Sequence, residues 1–472
     1  MFEAGAFIGR CLDSLRAQAF DAWEAVVVDD GSADGGPALV RGVADLDPRV
    51  RMVRQRNAGL PAARNAGIAG ARGEWLRFLD ADDWVSSGGL RTLWDLAVAE
   101  SASLVCGGAA YHDQQGSPLG WSFRPGAARV SLSMLVESHR FQVSAAMVRR
   151  DALGELRFRE WAQGSEDLDL WLRLCEGGRS WCATDADVAA YRLRPSGMSR
   201  DHAMMGRVAG RVIGECFDRS PALEAAEPGK RVRCLRRVGV ERATALAWGS
   251  GARNGPAVEL WRRLRPAPAM PLTPAEAACA AVWSLPYADC MPPTAWRDDR
   301  RAAAYAECLA EFWAELERSG EALSGLRLAG VRHLAGLLVE PREIAGEVVR
   351  RVTEAGAEAV VVHGLGRNAA AAVPLLGSSG LRVLGCDDAL RAGDAPLIGG
   401  VRVGVVGPGE WPEDAAHIIA PSNPGAITLR LAGLKHVFDW NDVARAMAGR
   451  EHERLARLWP DAARADAAGV AA

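Results

Sequence analysis

Lysine is nearly missing from this chain of 472 residues, standing only at 230 and 435, so arginine supplies almost all of the positive charge. A single arginine is therefore weaker evidence of function than usual. The formal net charge of −3 gives no reason to expect a nucleic-acid partner. The ten cysteines form no C-x-x-C pair and the eight histidines no H-x-x-x-H pair. That argues against a zinc site and a disulfide framework, and for a reducing interior. No run reaches the ~18 apolar residues that a membrane-spanning helix needs. The nearest, AEAACAAVWSLPYA (275–288), is short and contains Pro286. No signal peptide is legible, because Glu3 and Arg10 flank only a few apolar residues. The expectation is a cytoplasmic protein, with peripheral association at the inner face of a membrane left open.

What is present reads as α/β. Apolar residues make up 49% of the chain, and its length suits two to three domains. Phe7, Ile8, Cys11, Leu12, Leu15 and Ala19 share one helical face. EAVVVDDGS (24–32) and RVRMVRQR (49–56) read as strands, and GPALVRGVADL (36–46) and GLPAARNAGIAGAR (59–72) as helices. RGEWLRFLDADDWVSS (72–87) is an apolar run that ends in Asp80, Asp82 and Asp83. Strands alternating with helices predict a doubly wound, mostly parallel sheet. Ligands of such sheets bind beyond the carboxyl ends of the strands, where Asp29-Asp30 and Asp80–Asp83 both lie.

From about 203 to 345 the pattern turns to Ala/Leu/Arg/Glu segments of helical period, with Pro-rich breaks at 265–274 and 286–293. A second α/β unit follows. AEAVVVHGLGRNAAAAVPLL (357–376) reads as strand, glycine turn and helix, and LRVLGCDDAL (381–390) as strand and acids. VRVGVV (401–406) and AHIIAPS (416–422) read as further strands. The expected division is 1–205, 206–345, 346–440 and a helical tail at 441–472. Gly364, Gly366 and Ala369 fit G-x-G-x-x-A, with Asp387 at dinucleotide-fold spacing. This signal is weak by itself, and the unit also resembles small Rossmann-like accessory domains without a redox role.

Carboxylates repel and are costly to bury, so an acidic strand end asks for a cation or a ligand rich in hydroxyls. Four stretches carry the chemistry. VVVDDGSADG (26–35) ends a strand in acids. RNAGLPAARNAGI (56–68) sets Asn57, Gly59, Arg64 and Asn65 around a helix start that favours anions. FLDADDW (78–84) is the acidic strand end, and EWAQGSEDLDLWLRL (160–174) opens an amphipathic helix with Glu166 and Asp167.

In this order the four stretches resemble inverting family 2 glycosyltransferases of the GT-A fold, the nucleotide-sugar users that include cellulose, chitin and O-antigen transferases. The likeness covers roughly residues 5–200, with YRLRPSGMSR (191–200) similar to the family's post-catalytic strand and loop. It implies a sugar transfer from a nucleotide-sugar, a UDP-sugar in the first instance, to a hydroxyl of a glycan or lipid-linked acceptor. It implies Mn2+ or Mg2+ as cofactor. By position, Asp30 would bind the base, and Arg64, with Asn57 nearby, the ribose or diphosphate end. Asp80 and Asp82 would form the D-x-D motif, with Asp82 the metal ligand and Asp83 a second candidate. Glu166 and Asp167 would be the ED pair, with Asp167 the general base. The family's opening strand and P-x-Y-N-like turn have no counterpart, since Phe2-Glu3 stand where Tyr-Asn would be. The expectation is an apolar strand encoded upstream of Met1, or else an impaired enzyme.

Each feature also has a plain structural reading. Asp29 and Asp30 would suit a turn, Asp80–Asp83 a helix cap, Glu166-Asp167 a helix start, and Arg64 a solvated surface. Trp94, Trp161, Trp171 and Trp181 read as core, with Trp161 the one to test for stacking on an acceptor. Two other functions compete with the transferase: a catalytically impaired binding scaffold of the same fold, and an NAD-linked oxidoreductase working through 357–440.

Overall fold

The structure, a computed structural model, describes residues 1–249 except 127, 195 and 196, residues 297 and 303, and residues 341–458 except 364–372, 374, 379–380, 387–396, 399–400, 407–411, 413–414 and 420–436. The chain divides into two compact units: Met1–Pro292 with Glu307–Leu323, and Pro293–Ala306 with Ser324–Ala472.

The first unit opens with helix α1 (Ile8–Arg16), strand β1 (Ala25–Asp29), α2 (Gly36–Leu46), β2 (Val50–Arg54) and α3 (Leu60–Gly70). Ile8, Cys11 and Leu12 of α1 recur at helical spacing and are buried against Val40 of α2 and Val50 of β2. β1 and β2 pair in parallel, from Ala25 opposite Val50 to Asp29 opposite Arg54, and form a sheet of two strands. At the end of β1 the Met1 ammonium donates to the Val28 carbonyl, and the Asp30 N–H donates to the Met1 carbonyl.

A larger sheet follows. Its elements are β3 (Trp75–Arg77), β4 (Trp84–Val85), α4 (Gly89–Ala99), β5 (Leu104–His112), β6 (Pro118–Phe123), β7 (Arg129–Val130), α5 (Leu132–Glu137), β8 (Ala146–Arg149), α6 (Arg150–Leu153), α7 (Glu166–Cys175) and β9 (Trp181–Arg192). The strand order is β3-β8-β5-β9-β4, with β6 also on β5 and β7 on β9. β5 and β9 run parallel; β3 with β8, β5 with β8 and β4 with β9 run antiparallel. The α/β class is as expected, with parallel pairs at both β1–β2 and β5–β9. Among the described residues no strand joins β1 to β3, so the two acidic strand ends belong to separate sheets.

α7 fixes one side of the site. Leu170, Trp171, Leu172 and Leu174 are fully buried, and burying each such side chain contributes about 1.5–3 kcal/mol. The Trp171 and Trp181 rings meet edge to face at 4.8 Å, and Phe141 lies 4.8 Å from Trp181. Trp171 and Trp181 are core, as the sequence predicts. At the other end of α7, Glu166, Asp167 and Asp169 fill the first turn, where the helix dipole favours negative charge. α8 (His202–Arg219), α9 (Ala222–Ala226) and α10 (Lys230–Gly249) follow.

The second unit contains α11 (Pro341–Glu354), β10 (Ala359–His363), β11 (Arg382–Cys386), a short antiparallel pair β12 (Leu397–Ile398) and β13 (Val401–Arg402), β14 (Gly404–Val405), β15 (Ala416–Ile419), β16 (Val437–Asp439) and α12 (Trp440–Leu458). Its five-stranded sheet has the order β14-β11-β10-β15-β16 with every pair parallel. Val360, Val362, Ala416 and Ile418 share one face and pack with Ile344 and Val348 of α11 and Val443 of α12. On the opposite face, His363 and His417 meet ring to ring with Nε2 and Nδ1 3.0 Å apart. Gly364, Gly366, Ala369 and Asp387 lie outside the described residues, as do both Pro-rich breaks. No helix among the described residues is long and apolar enough to cross a membrane.

Candidate active site

Asp30 follows β1 and is buried. Its carboxylate accepts from Gln55 Nε2 at 2.8 Å and from the N–H groups of Ala58 and Gly59 at 2.9 Å each. It therefore holds the loop that leads into α3, while Asn57 on that loop is exposed. Gly59 starts α3 with φ +89° and ψ 168°, a conformation open essentially to glycine alone, and Gln163 Oε1 lies 2.8 Å from where a Cβ would sit. The neighbouring Asp29 accepts from the Ser32 N–H at 2.9 Å and lies 3.2 Å from Arg54 Nε.

Arg64 projects from the first two turns of α3 and is only 8% exposed. Its Nη1 donates to Glu166 Oε1 at 2.5 Å and its Nη2 to Asp80 Oδ1 at 2.7 Å. This excludes the reading of Arg64 as a solvated surface arginine. Asp80 and Glu166 are 86 positions apart in sequence, and one guanidinium ties them together. Burial, and secondarily Asp167, push the Glu166 carboxyl above its usual range even though Arg64 pulls it down. Its Oε2 also accepts from the Gly164 N–H at 2.6 Å.

The three aspartates after β3 have separate roles. Asp80 is the Arg64 partner. Asp82 has one carboxylate oxygen 2.7 Å from Arg194 Nε, in contact but not aligned as a hydrogen bond. Asp83 is buried, accepting from the Arg192 N–H at 2.9 Å and from Ser144 Oγ at 3.3 Å. Burial raises the carboxyls of both Asp82 and Asp83, and the adjacent aspartates raise them further. Arg77 lies below them, donating to the carbonyls of Ser144 and Val188. Burial beside these neutral carbonyls pushes its guanidinium down to about 10. Among the described residues no group of three or more His, Cys, Asp or Glu is arranged to hold a metal ion.

Asp167 stands beside Glu166 with its Oδ1 accepting from the Leu168 N–H at 2.7 Å. Its Oδ2 lies 3.4 Å from His139 Nε2. The Arg211 guanidinium covers one face of the Trp161 ring at 3.8 Å. Trp161 also packs on the core, so at most its other face is left for stacking. Two site residues were missed at the level of sequence. Arg194 lies in a recognised stretch, but the abundance of arginine concealed it. His139 lies in no motif and no sequence signal would have found it.

Residues 1–157 match the family described as Glycosyl transferase family 2. The succinoglycan biosynthesis protein ExoO of Rhizobium meliloti is 36% identical over 250 residues, which are 50% of this chain and 71% of ExoO. EpsH of Bacillus subtilis is 36% identical over 119 residues, and glycosyltransferase GlyA of Streptococcus pneumoniae 34% over 107. Those matches take in 25% and 23% of this chain, but only 35% of EpsH and 15% of GlyA. S. aureus TarS 1–349, solved in complex with UDP-GlcNAc, aligns over 56% of this chain and 88% of that one at 16% identity and a TM-score of 0.38. On the family match and the extent of the ExoO relation, the chain belongs to glycosyltransferase family 2.

Proposed function

We propose that the chain is a metal-dependent inverting glycosyltransferase. It moves a sugar from a nucleotide-sugar, a UDP-sugar in the first instance, to a hydroxyl of a glycan or lipid-linked acceptor in surface polysaccharide assembly. The observation that carries this reading is the Asp80–Arg64–Glu166 bridge. It couples the acidic strand end, suited to a cation that would bind the donor's phosphates, to the helix start that bears Asp167.

The donor set suits a hard divalent cation. Asp82 retains partial exposure, and its carboxyl is raised by burial and by Asp80. That is the condition a cation relieves, and such ions prefer carboxylate and phosphate oxygens. Asp82 would hold the Mn2+ or Mg2+; Asp83, with both oxygens engaged by Arg192 and Ser144, is the weaker candidate. The metal supplies positive charge against the negative charge that gathers on the departing diphosphate. Arg64 keeps Asp80 and Glu166 fixed at the ribose and diphosphate end. Asp167 takes the proton of the acceptor hydroxyl. The acceptor oxygen then bonds to the anomeric carbon as the bond to the diphosphate breaks and the diphosphate leaves with the electron pair. Attack from the face opposite the leaving group inverts the centre. In this reading Asp30 meets the base while holding the 55–59 loop, with Asn57 at its rim.

The proposed division is a transferase domain at 1–205, a helical region at 206–345, a Rossmann-like accessory domain at 346–440 and a helical tail at 441–472. The parallel order β14-β11-β10-β15-β16 supports the Rossmann-like assignment, because it places the first strand centrally and reverses direction beside it. The test is release of nucleoside diphosphate by the full chain from a panel of UDP- and GDP-hexoses, with Mn2+ and with chelator. Release that requires the metal is expected. Release from no donor, or release unaffected by chelation, refutes the reading.

A further inference from the structure

His139 comes two residues after α5 and two before Phe141. Phe141 is fully buried, with its ring 4.8 Å from that of Trp181 and 6.0 Å from that of Trp171. That anchor fixes the backbone on which His139 stands. The residue itself is about a third exposed, yet its Nε2 atom is buried and makes no hydrogen bond. The nearest carboxylate oxygen is Asp167 Oδ2, at 3.4 Å. A buried donor without an acceptor is destabilising. A small turn of either side chain removes that cost.

We infer that His139 is a positioning residue for Asp167, donating from Nε2–H to Oδ2. The inference rests on the reading of Asp167 as general base. A carboxylate offers roughly two lone-pair positions on each oxygen. The Leu168 N–H takes one on Oδ1, and the imidazole takes one on Oδ2. Together they stop rotation about the last side-chain bond and leave the remaining lone pairs for the incoming hydroxyl. Catalytic hydrogen bonds are often long in free enzymes and tighten once substrate is bound, which fits the 3.4 Å separation. Glutamine can set an amide N–H near the place of Nε2; alanine cannot.

The experiment uses the full chain with the hexose-nucleotide panel and Mn2+, comparing wild type, His139→Ala, His139→Gln and Asp167→Asn. His139→Ala should lower kcat about tenfold or more, a share of the ~10²–10⁴-fold that a general base supplies. The donor KM, the affinity for UDP or GDP by calorimetry, and the melting temperature should stay near wild type. His139→Gln should recover most of the lost kcat. If His139→Ala matches wild type while Asp167→Asn is inactive, the positioning role is refuted and the base assignment stands. If both His139 variants lose kcat equally with unchanged melting, donation from Nε2 is refuted. If Asp167→Asn turns over normally, the base reading itself falls and takes the inference with it.

Discussion

Replacing Arg64 with methionine tests whether the site is held together electrostatically. The methionine keeps much of the apolar stem but removes the charge that Glu166 and Asp80 face. At an effective dielectric near 20, each contact at ~4 Å is worth about 4 kcal/mol before desolvation is counted. Removing one partner of a buried pair typically costs about 3–5 kcal/mol, because the remaining charge stays buried and uncompensated. Glu166 is only 5% exposed, so bulk solvent is a poor substitute for the guanidinium. It can respond by taking a proton. Its folded-state carboxyl already lies above the ordinary value of 4.5, chiefly through burial, and Arg64 is the group that pulls it down. Without Arg64 it rises further. A carboxyl raised in the folded state contributes stability that is fully present below its unfolded value and is lost as pH rises through the folded value. The deficit of the variant should therefore be about 3–5 kcal/mol at pH 8 and clearly smaller near pH 5, each further unit of upward shift adding ~1.4 kcal/mol to the difference. Urea titration followed by tryptophan fluorescence reads this, since Trp171 and Trp181 are both fully buried in the first unit. Arg64→Met combined with Glu166→Gln should recover part of the loss at pH 8, as expected for residues in contact. A deficit below about 1 kcal/mol at pH 8, or one that grows toward pH 5, refutes the account of a buried, charge-compensated bridge.

Three further outcomes are expected. Asp167→Asn should abolish transfer and leave nucleotide affinity nearly intact, as calorimetry with UDP and Mn2+ would report alongside the rate. Asp82→Ala should remove the metal dependence of UDP binding, and unchanged metal dependence in that titration would contradict Asp82 as the ligand. Gly59→Ala should cost about 1–3 kcal/mol of stability in urea, because alanine disfavours this backbone conformation and its Cβ would meet Gln163.

What was legible in the sequence was legible for local reasons. The carboxylates after β1 and β3, the start of α3 and the ED pair of α7 each sit where a strand or helix ends, and strand and helix periods reveal such ends. Roles that depend on distant neighbours were not legible. Nothing near Asp30 announces that its carboxylate takes the N–H groups of Ala58 and Gly59. Asp82 and Asp83 are adjacent, yet the turn between β3 and β4, closed by the Asp83 N–H on the Asp80 carbonyl, sets Asp83 against the Arg192 backbone and leaves Asp82 beside Arg194. His139 reaches Asp167 only because α5 and α7 share the core around Phe141 and Trp171. Composition acted in the same direction. In a chain with two lysines and abundant arginine, the type of residue 64 says little. Its burial between two carboxylates, from segments 16 and 102 positions away, is what separates it from the solvated arginines. A guanidinium is suited to that place because its planar fork serves two acids at once, whereas an ammonium would be a single point charge. Arg64→Lys should accordingly hold one acid and release the other, and therefore fall short of wild type in both stability and turnover.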